Sequence, residues 1–217
     1  MKVVDDTPAK QPIRRSGLWA ILWKRTIWMD ILQGGLIGFG VSLLLIGTLI
    51  VVRTSTLMTT VNGWQTTQAC GVPSDLITQA ACARTLPAIN PPSEAMYWQA
   101  TVDGTGAKLD GSKSYVIRFP KGGLPPVNAF WSITIAGANR LMVADSAHRY
   151  SVSDRSGLVA SADGSIDVYL QPTSPNGHEA NWLPTPSGNF MLWLRAYEPA
   201  PSILDGTWQP PAIEVAR

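Results

Sequence analysis

The stretch ILQGGLIGFGVSLLLIGTLIVV, Ile31–Val52, runs 22 residues without a charge and divides the chain into a short lead and a large polar remainder. As a helix rising about 1.5 Å per residue it is about 33 Å long, enough to cross a hydrocarbon core of about 30 Å. Gln33, Ser42 and Thr48 are its only polar side chains, and each can hydrogen-bond within a helix or to a neighbour. A cleaved signal peptide fits less well, because its apolar region usually spans about 7–15 residues and no small-x-small cleavage site follows Val52. An uncleaved, single-pass membrane anchor is expected.

Lys2, Lys10, Arg14, Arg15, Lys24 and Arg25 precede the run, whereas only Arg53 follows it closely. Such a bias places the N-terminus in the cytoplasm and the C-terminal domain outside. Trp19, Trp23 and Trp28 crowd the approach, and indole rings favour the headgroup level, so a short interfacial helix over Gly17–Trp28 is expected to lie along the membrane before the chain turns inward. The alternative is a spanning helix extended at its start. Within the span Gly34, Gly38 and Ser42 recur every four residues and Gly35 widens the stripe, a pattern that lets a second helix approach closely.

Through Asp30 the chain has six cations and three acids, and beyond it eleven cations and twelve acids, so the outer domain is close to neutral. Nucleic-acid binding needs a basic stripe and is not expected. Charged residues make up 15% of the chain against about 25% in ordinary globular proteins, which suits an outer surface partly covered by a partner. Cys70 and Cys82 both fall on the exported side, where an oxidising compartment favours a disulfide. A metal site would need further ligands, and the two histidines, His148 and His178, stand far away in sequence; no metal and no cofactor is expected.

From Arg53 to about Asn62 the sequence reads as a polar Thr- and Ser-rich connector. Ser74 or Asp75 is placed to cap a short helix from Leu76 to about Arg84, ended by the prolines of Leu86–Pro92. Strand patterns follow at Met96–Val102, Ser114–Phe119, Phe130–Ala136, Ser165–Gln171 and Phe190–Tyr197, separated by turn signals such as Asp103-Gly104, Asp110-Gly111, Gly122-Gly123, Asp163-Gly164 and Ser187-Gly188. In the last strand Phe190, Leu192, Leu194 and Ala196 face one way as core; Met191, Trp193, Arg195 and Tyr197 face the other as an amphipathic contact surface. The Pro-rich tail, Pro199–Ala212, suits lying along another protein.

The segments Ser93–Trp98, Leu109-Asp110-Gly111, Tyr115–Phe119, Pro125–Ser132, Arg149-Tyr150-Ser151, Asp154-Arg155-Ser156, Ala162–Ser165 and Asn181–Pro184 together resemble the bacterial family catalogued as the domain of unknown function numbered 1214. Leu194–Tyr197 with Pro199, Ile203–Trp208 and Pro210-Pro211 continue the likeness, which covers roughly residues 60 to 215. The resemblance implies a jelly-roll-like antiparallel β-sandwich, often found fused behind a second domain of unknown function numbered 1254. It carries over no activity and no catalytic residue. The expected fold is thus mainly β: a lead over 1–30, a transmembrane helix over 31–52, a connector over 53–92, and a periplasmic sandwich over 93–217, mounted on a bacterial inner membrane.

For chemistry the sequence offers little. No Gly-x-Ser-x-Gly elbow and no His-Glu-x-x-His is present, and His178-Glu179 is followed by Ala180-Asn181, which breaks the zinc-protease spacing. Arg149, Tyr150, Asp154, Arg155, Asn181, Trp182 and Arg195 form the best candidate ligand or partner contact, since Trp stacking with Arg and Asn hydrogen bonding suits a sugar or carboxylate; the structural alternative makes Asn181 a turn cap and Trp182 a plug. The expected function is a non-catalytic accessory subunit that braces a large inner-membrane protein complex from its periplasmic face, with the complex and membrane lipid as partners. An energy-converting assembly such as a photosynthetic reaction centre with its light-harvesting ring is one example, although no histidine inside the span is available to a bacteriochlorophyll. A periplasmic glycan- or lipid-binding module is the alternative, and an envelope hydrolase the third reading.

Overall fold

The computed structural model describes residues 18–86, 89–142 and 148–216, with side chains from Thr26 onward. Two compact units divide the chain, residues 1–48 and Leu49–Arg217. One continuous helix, α1 (Leu18–Leu57), runs through the apolar stretch. Its segment Thr26–Leu57 has a mean hydropathy of 2.5, long and apolar enough to cross a membrane, and every side chain from Thr26 to Leu49 is exposed. Ser42 Oγ donates to the Gly38 carbonyl at 2.9 Å and Thr48 Oγ1 to that of Leu44 at 2.8 Å, so both hydroxyls are satisfied without water.

The helix corrects two expectations. A separate interfacial helix is absent: backbone hydrogen bonding continues from Leu18 through Trp28 into the apolar run, because Met29 and Asp30 at the junction include neither Gly nor Pro. The Met1–Gly17 lead and the side chains of Trp19 and Trp23 lie outside the described residues; Trp28 is exposed. Nor is the stretch after Arg53 a connector. Thr54 and Ser55 turn their hydroxyls back onto the carbonyls of Ile50 and Val51, at 2.8 and 3.2 Å, and the helix runs on to Leu57.

Only Met58 separates α1 from β1 (Thr59–Val61), which pairs with β2 (Trp64–Thr66) across Asn62-Gly63. Both turn residues have positive φ, 53° and 85°, the left-handed pair that a two-residue hairpin requires. The Cys70–Cys82 disulfide has an S–S distance of 2.04 Å and ties the next segment to α2 (Leu76–Thr85). Asp75 caps that helix: Oδ1 accepts from the backbone of Ile77 and Thr78 at 3.0 Å each. The Thr78 hydroxyl donates to Oδ2 at 2.6 Å, and this set of bonds holds the carboxyl below its ordinary range.

The five patterned segments form β3 (Ala95–Ala100), β4 (Tyr115–Phe119), β5 (Val127–Gly137), β7 (Ile166–Gln171) and β9 (Phe190–Pro199). Three-residue strands complete them: β6 (Ser151–Ser153), β8 (Trp182–Pro184) and β10 (Ile213–Val215). A six-stranded sheet runs β1-β2-β3-β9-β5-β6 and a four-stranded one β10-β4-β7-β8. Pairing is antiparallel except that β8 lies parallel to β7, so the expectation of a wholly antiparallel fold is corrected. The chain makes that crossover through the loop after Gln171 and a 3-10 turn, Glu179–Asn181.

Both sheets share one core. Trp64, Trp98, Trp131, Ile133 and Leu194 from the larger sheet meet Tyr115, Ile117, Phe119, Val168 and Leu183 from the smaller. The C-terminal segment closes one side, and here the reading of a tail free for another protein is corrected. Trp64 Nε1 donates to the Pro211 carbonyl at 2.8 Å, Asn62 Nδ2 to that of Pro210 at 2.9 Å, and Trp208 packs edge-on against Trp98 at 5.6 Å. The prolines serve this chain's own core because each leaves its carbonyl free to accept while supplying no N–H that would need a partner.

Candidate functional site

Alternation along β9 divides its side chains. Phe190, Leu192, Leu194 and Ala196 are buried in the core, while Trp193, Arg195 and Tyr197 stand half-buried on the outer face of the six-stranded sheet. Register sets their neighbours: Tyr97 lies opposite Arg195, Gln99 opposite Trp193, and Phe130 opposite Tyr197. The rings join across strands. Tyr97 meets Tyr197 edge-on at 6.5 Å, Tyr197 stacks on Phe130 at 4.3 Å, and the Arg155 guanidinium sits 4.8 Å from the Phe130 centroid. Burial pushes the Tyr97 phenol above its ordinary pKa, so it stays a neutral hydroxyl, which accepts from the Asn90 backbone at 3.5 Å.

Two depressions lie on this face and meet at Arg140. One, about 410 Å3, is bordered by Leu86, Ile89, Tyr97, Trp193, Arg195 and Tyr197. The other, about 390 Å3, is polar and is bordered by Thr54, Ser55, Gln65, Arg84, Gln99 and Arg140 among others. Among the described residues neither lining contains an Asp or Glu. Arg140, at φ 66°, reaches back to donate to the carbonyls of Arg84 and Thr85 at 3.2 and 3.1 Å, closing the end of α2. Gln99 is only 5% exposed; its Nε2 contacts Gln65 Oε1 at 3.5 Å, and its Oε1 has no partner.

The seven residues expected to gather as a ligand contact do not form one constellation. Asn181 is buried and fully engaged: Oδ1 accepts from Val159 N at 2.7 Å, and Nδ2 donates to the carbonyls of Val159 and Asp167 at 2.8 and 2.9 Å. Arg149 reaches the same turn, donating to the Glu179 carbonyl at 2.8 Å and to that of Ala180. Trp182 Nε1 donates to the Gln171 carbonyl at 2.8 Å, and Tyr150 is half-buried beside β5, its carbonyl accepting from Ile135. Asp154 is exposed in the turn after β6. Arg155 and Arg195 belong instead to the outer sheet face. Reasoning from sequence missed Tyr97, Arg140 and Gln99, although the outward half of the β9 alternation pointed at the face that holds the first and last.

His178 lies against the Tyr169 ring, 5.0 Å between centroids, and His148 is exposed. No group of three His, Cys, Asp or Glu able to hold a metal ion occurs among the described residues. On α1 a Cβ added at Gly34, Gly35 or Gly38 would meet nothing within 4 Å, so with Ser42 the stripe is open to a neighbouring helix.

Among solved structures, the chain resembles the VPA0106 protein from Vibrio parahaemolyticus, with 35% identity and a TM-score of 0.56 over 65% of this chain and 35% of that one. An uncharacterized protein from Burkholderia cenocepacia shares 21% identity with a TM-score of 0.42, over 67% of this chain and 33% of that one. The chain thus spans about a third of the length of these relatives. No curated protein matches it. Residues 94–201 match the family described as Protein of unknown function (DUF1214), and over this segment the chain belongs to that family.

Proposed function

We propose that this chain is a non-catalytic, single-pass accessory subunit. It holds a jelly-roll-like sandwich at the periplasmic face of a bacterial inner membrane, where it braces a larger membrane protein complex. The observation that carries this reading is the mount. The end of α1 joins β1 through one residue, and Arg53 Nε donates to Thr78 Oγ1 at 2.9 Å while its guanidinium stands 4.0 Å from Asp75. That exposed ion pair adds little by itself, but with the hydrogen bond it fastens the helix end to α2, and a brace needs such a fastening where a tethered enzyme does not. The open Gly34, Gly38 and Ser42 stripe supplies a face for the complex, and the Tyr-, Trp- and Arg-rich sheet face has the composition of interface hot spots.

Spheroplasts carrying a photo-crosslinking residue in place of Gly38 test this reading. External protease is expected to remove the sandwich, and irradiation to join the helix to one membrane protein. The same residue at Leu43, about 180° round the helix from Gly34, is expected to give no protein adduct. A protected sandwich, or no protein adduct at Gly38, contradicts the reading. The cleft beside Gln99 favours a second reading, a module that binds a glycan or lipid at the membrane surface.

A further inference from the structure

We infer that the polar cleft bordered by Gln99, Arg84 and Arg140 binds the headgroup of an anionic membrane lipid, a phosphodiester bearing a free hydroxyl as in phosphoglycerol lipids. This rests on the second reading above and is independent of bracing. Three observations converge. Gln99 Oε1 is a buried acceptor without a partner, and such groups are costly enough that a bound donor is the usual resolution. Among the described residues Arg84 and Arg140 have no ion-pair partner and the lining holds no carboxylate to oppose an anion. Thr54 and Ser55 of the cleft wall lie two and three residues beyond Val52, about 3–4.5 Å along the helix from the end of the apolar run, which is headgroup level.

The chemistry divides accordingly. The guanidinium groups hold the phosphate oxygens, Arg140 with the N–H groups not spent on the Arg84 and Thr85 carbonyls, and the glycerol hydroxyl donates to Gln99 Oε1. The hydroxyls of Thr54 and Ser55 are turned onto their own helix and serve as wall. A glycan fits less well, because the aromatic rings lie in the neighbouring depression and, among the described residues, none borders this cleft. A choline headgroup brings a fixed cation toward two arginines and no hydroxyl for Gln99.

The full chain in neutral detergent, titrated with dihexanoyl-phosphatidylglycerol and followed by thermal unfolding, tests the assignment. The lipid is expected to raise the melting temperature, and dihexanoyl-phosphatidylcholine is not. Gln99→Met is expected to weaken binding about ten-fold while leaving the unliganded protein as stable or more so, since it removes an unpaired buried acceptor. Arg140→Gln and Arg84→Gln are expected to weaken binding similarly, and Arg155→Gln to leave it unchanged. Equal binding of both lipids, or unchanged affinity in Gln99→Met and Arg140→Gln, overturns the proposal. Binding of glycerophosphoglycerol as tightly as the lipid overturns the membrane source. Trigalacturonate binding in place of the lipid overturns the lipid while keeping a binding module; binding of none of these probes removes both.

Discussion

Asn181→Ala is expected to destabilise the sandwich by about 3 kcal/mol, because it leaves the N–H and carbonyl of Val159 and the buried carbonyl of Asp167 without their partner. Asn181 is 3% exposed and links Val159 to the Asp167 backbone. The Asp167 carboxylate is in turn held by Arg118 through two hydrogen bonds of 2.7 and 2.9 Å, so the loop between β6 and β7 and the parallel pair of β7 and β8 depend on one amide. Asn181→Asp is no rescue: it keeps the acceptor for Val159 N but turns a carboxylate oxygen toward two carbonyls. Denaturant unfolding of the full chain in detergent measures the loss. A variant as stable as the parent would return Asn181 to the ligand-contact role that its place beside Trp182 suggests.

Gly111→Ala is expected to cost about as much, on the order of 3 kcal/mol, by overpacking. Gly111 N donates to the Gly188 carbonyl at 2.8 Å and its carbonyl accepts from Thr185 Oγ1 at 3.3 Å, which draws the Asp110-Gly111 turn against the loop before β9. A Cβ there would run into the Pro186 carbonyl oxygen and stand 2.8 Å from its carbon. Neither neighbour is a side chain that can swing aside, so backbone must move. Gly157→Ala is the control at an open glycine, where φ is 69° and a Cβ meets nothing within 4 Å; it pays only the left-handed backbone strain, of order 1 kcal/mol. If Gly111→Ala unfolds no more readily than Gly157→Ala, the close approach is not what holds this loop.

Legibility followed the range of the interaction. The five longer strands and the Asp75 cap were readable because alternation and capping are local, and Cys70 and Cys82 because two cysteines allow only one pairing within the chain. The three-residue strands were not, since a segment such as Trp182–Pro184 has too few residues to show a period and is a strand only because β7 lies beside it. The hairpin of β1 and β2 was available in Asn62-Gly63, but Thr- and Ser-rich flanks read as connector. Trp64 bonds to Pro211 across 147 positions, and no local pattern announces that the Pro-rich tail belongs to the core.

The site was half legible. Outward alternation in β9 identified Trp193, Arg195 and Tyr197 as a surface, although Met191, read with them, is buried, whereas Arg149, Asn181 and Trp182 looked like ligand contacts because polar and aromatic residues beside a turn serve recognition and loop closure equally well. Only the hydrogen bonds separate the two: Asn181 spends its amide on backbone, and Gln99 leaves an oxygen unspent. Arg140 enters the cleft from the loop after β5, and nothing about an Arg in sequence signals its left-handed φ of 66°.

Native sizing of the chain after extraction in mild detergent separates a subunit from a solitary protein. As an accessory subunit it is expected to migrate with a larger membrane assembly in a fixed ratio, and to leave that assembly when Gly34 and Gly38 are both replaced by Leu while the sandwich stays folded. A chain that migrates alone, at the size of its own micelle, under every mild extraction would contradict the account.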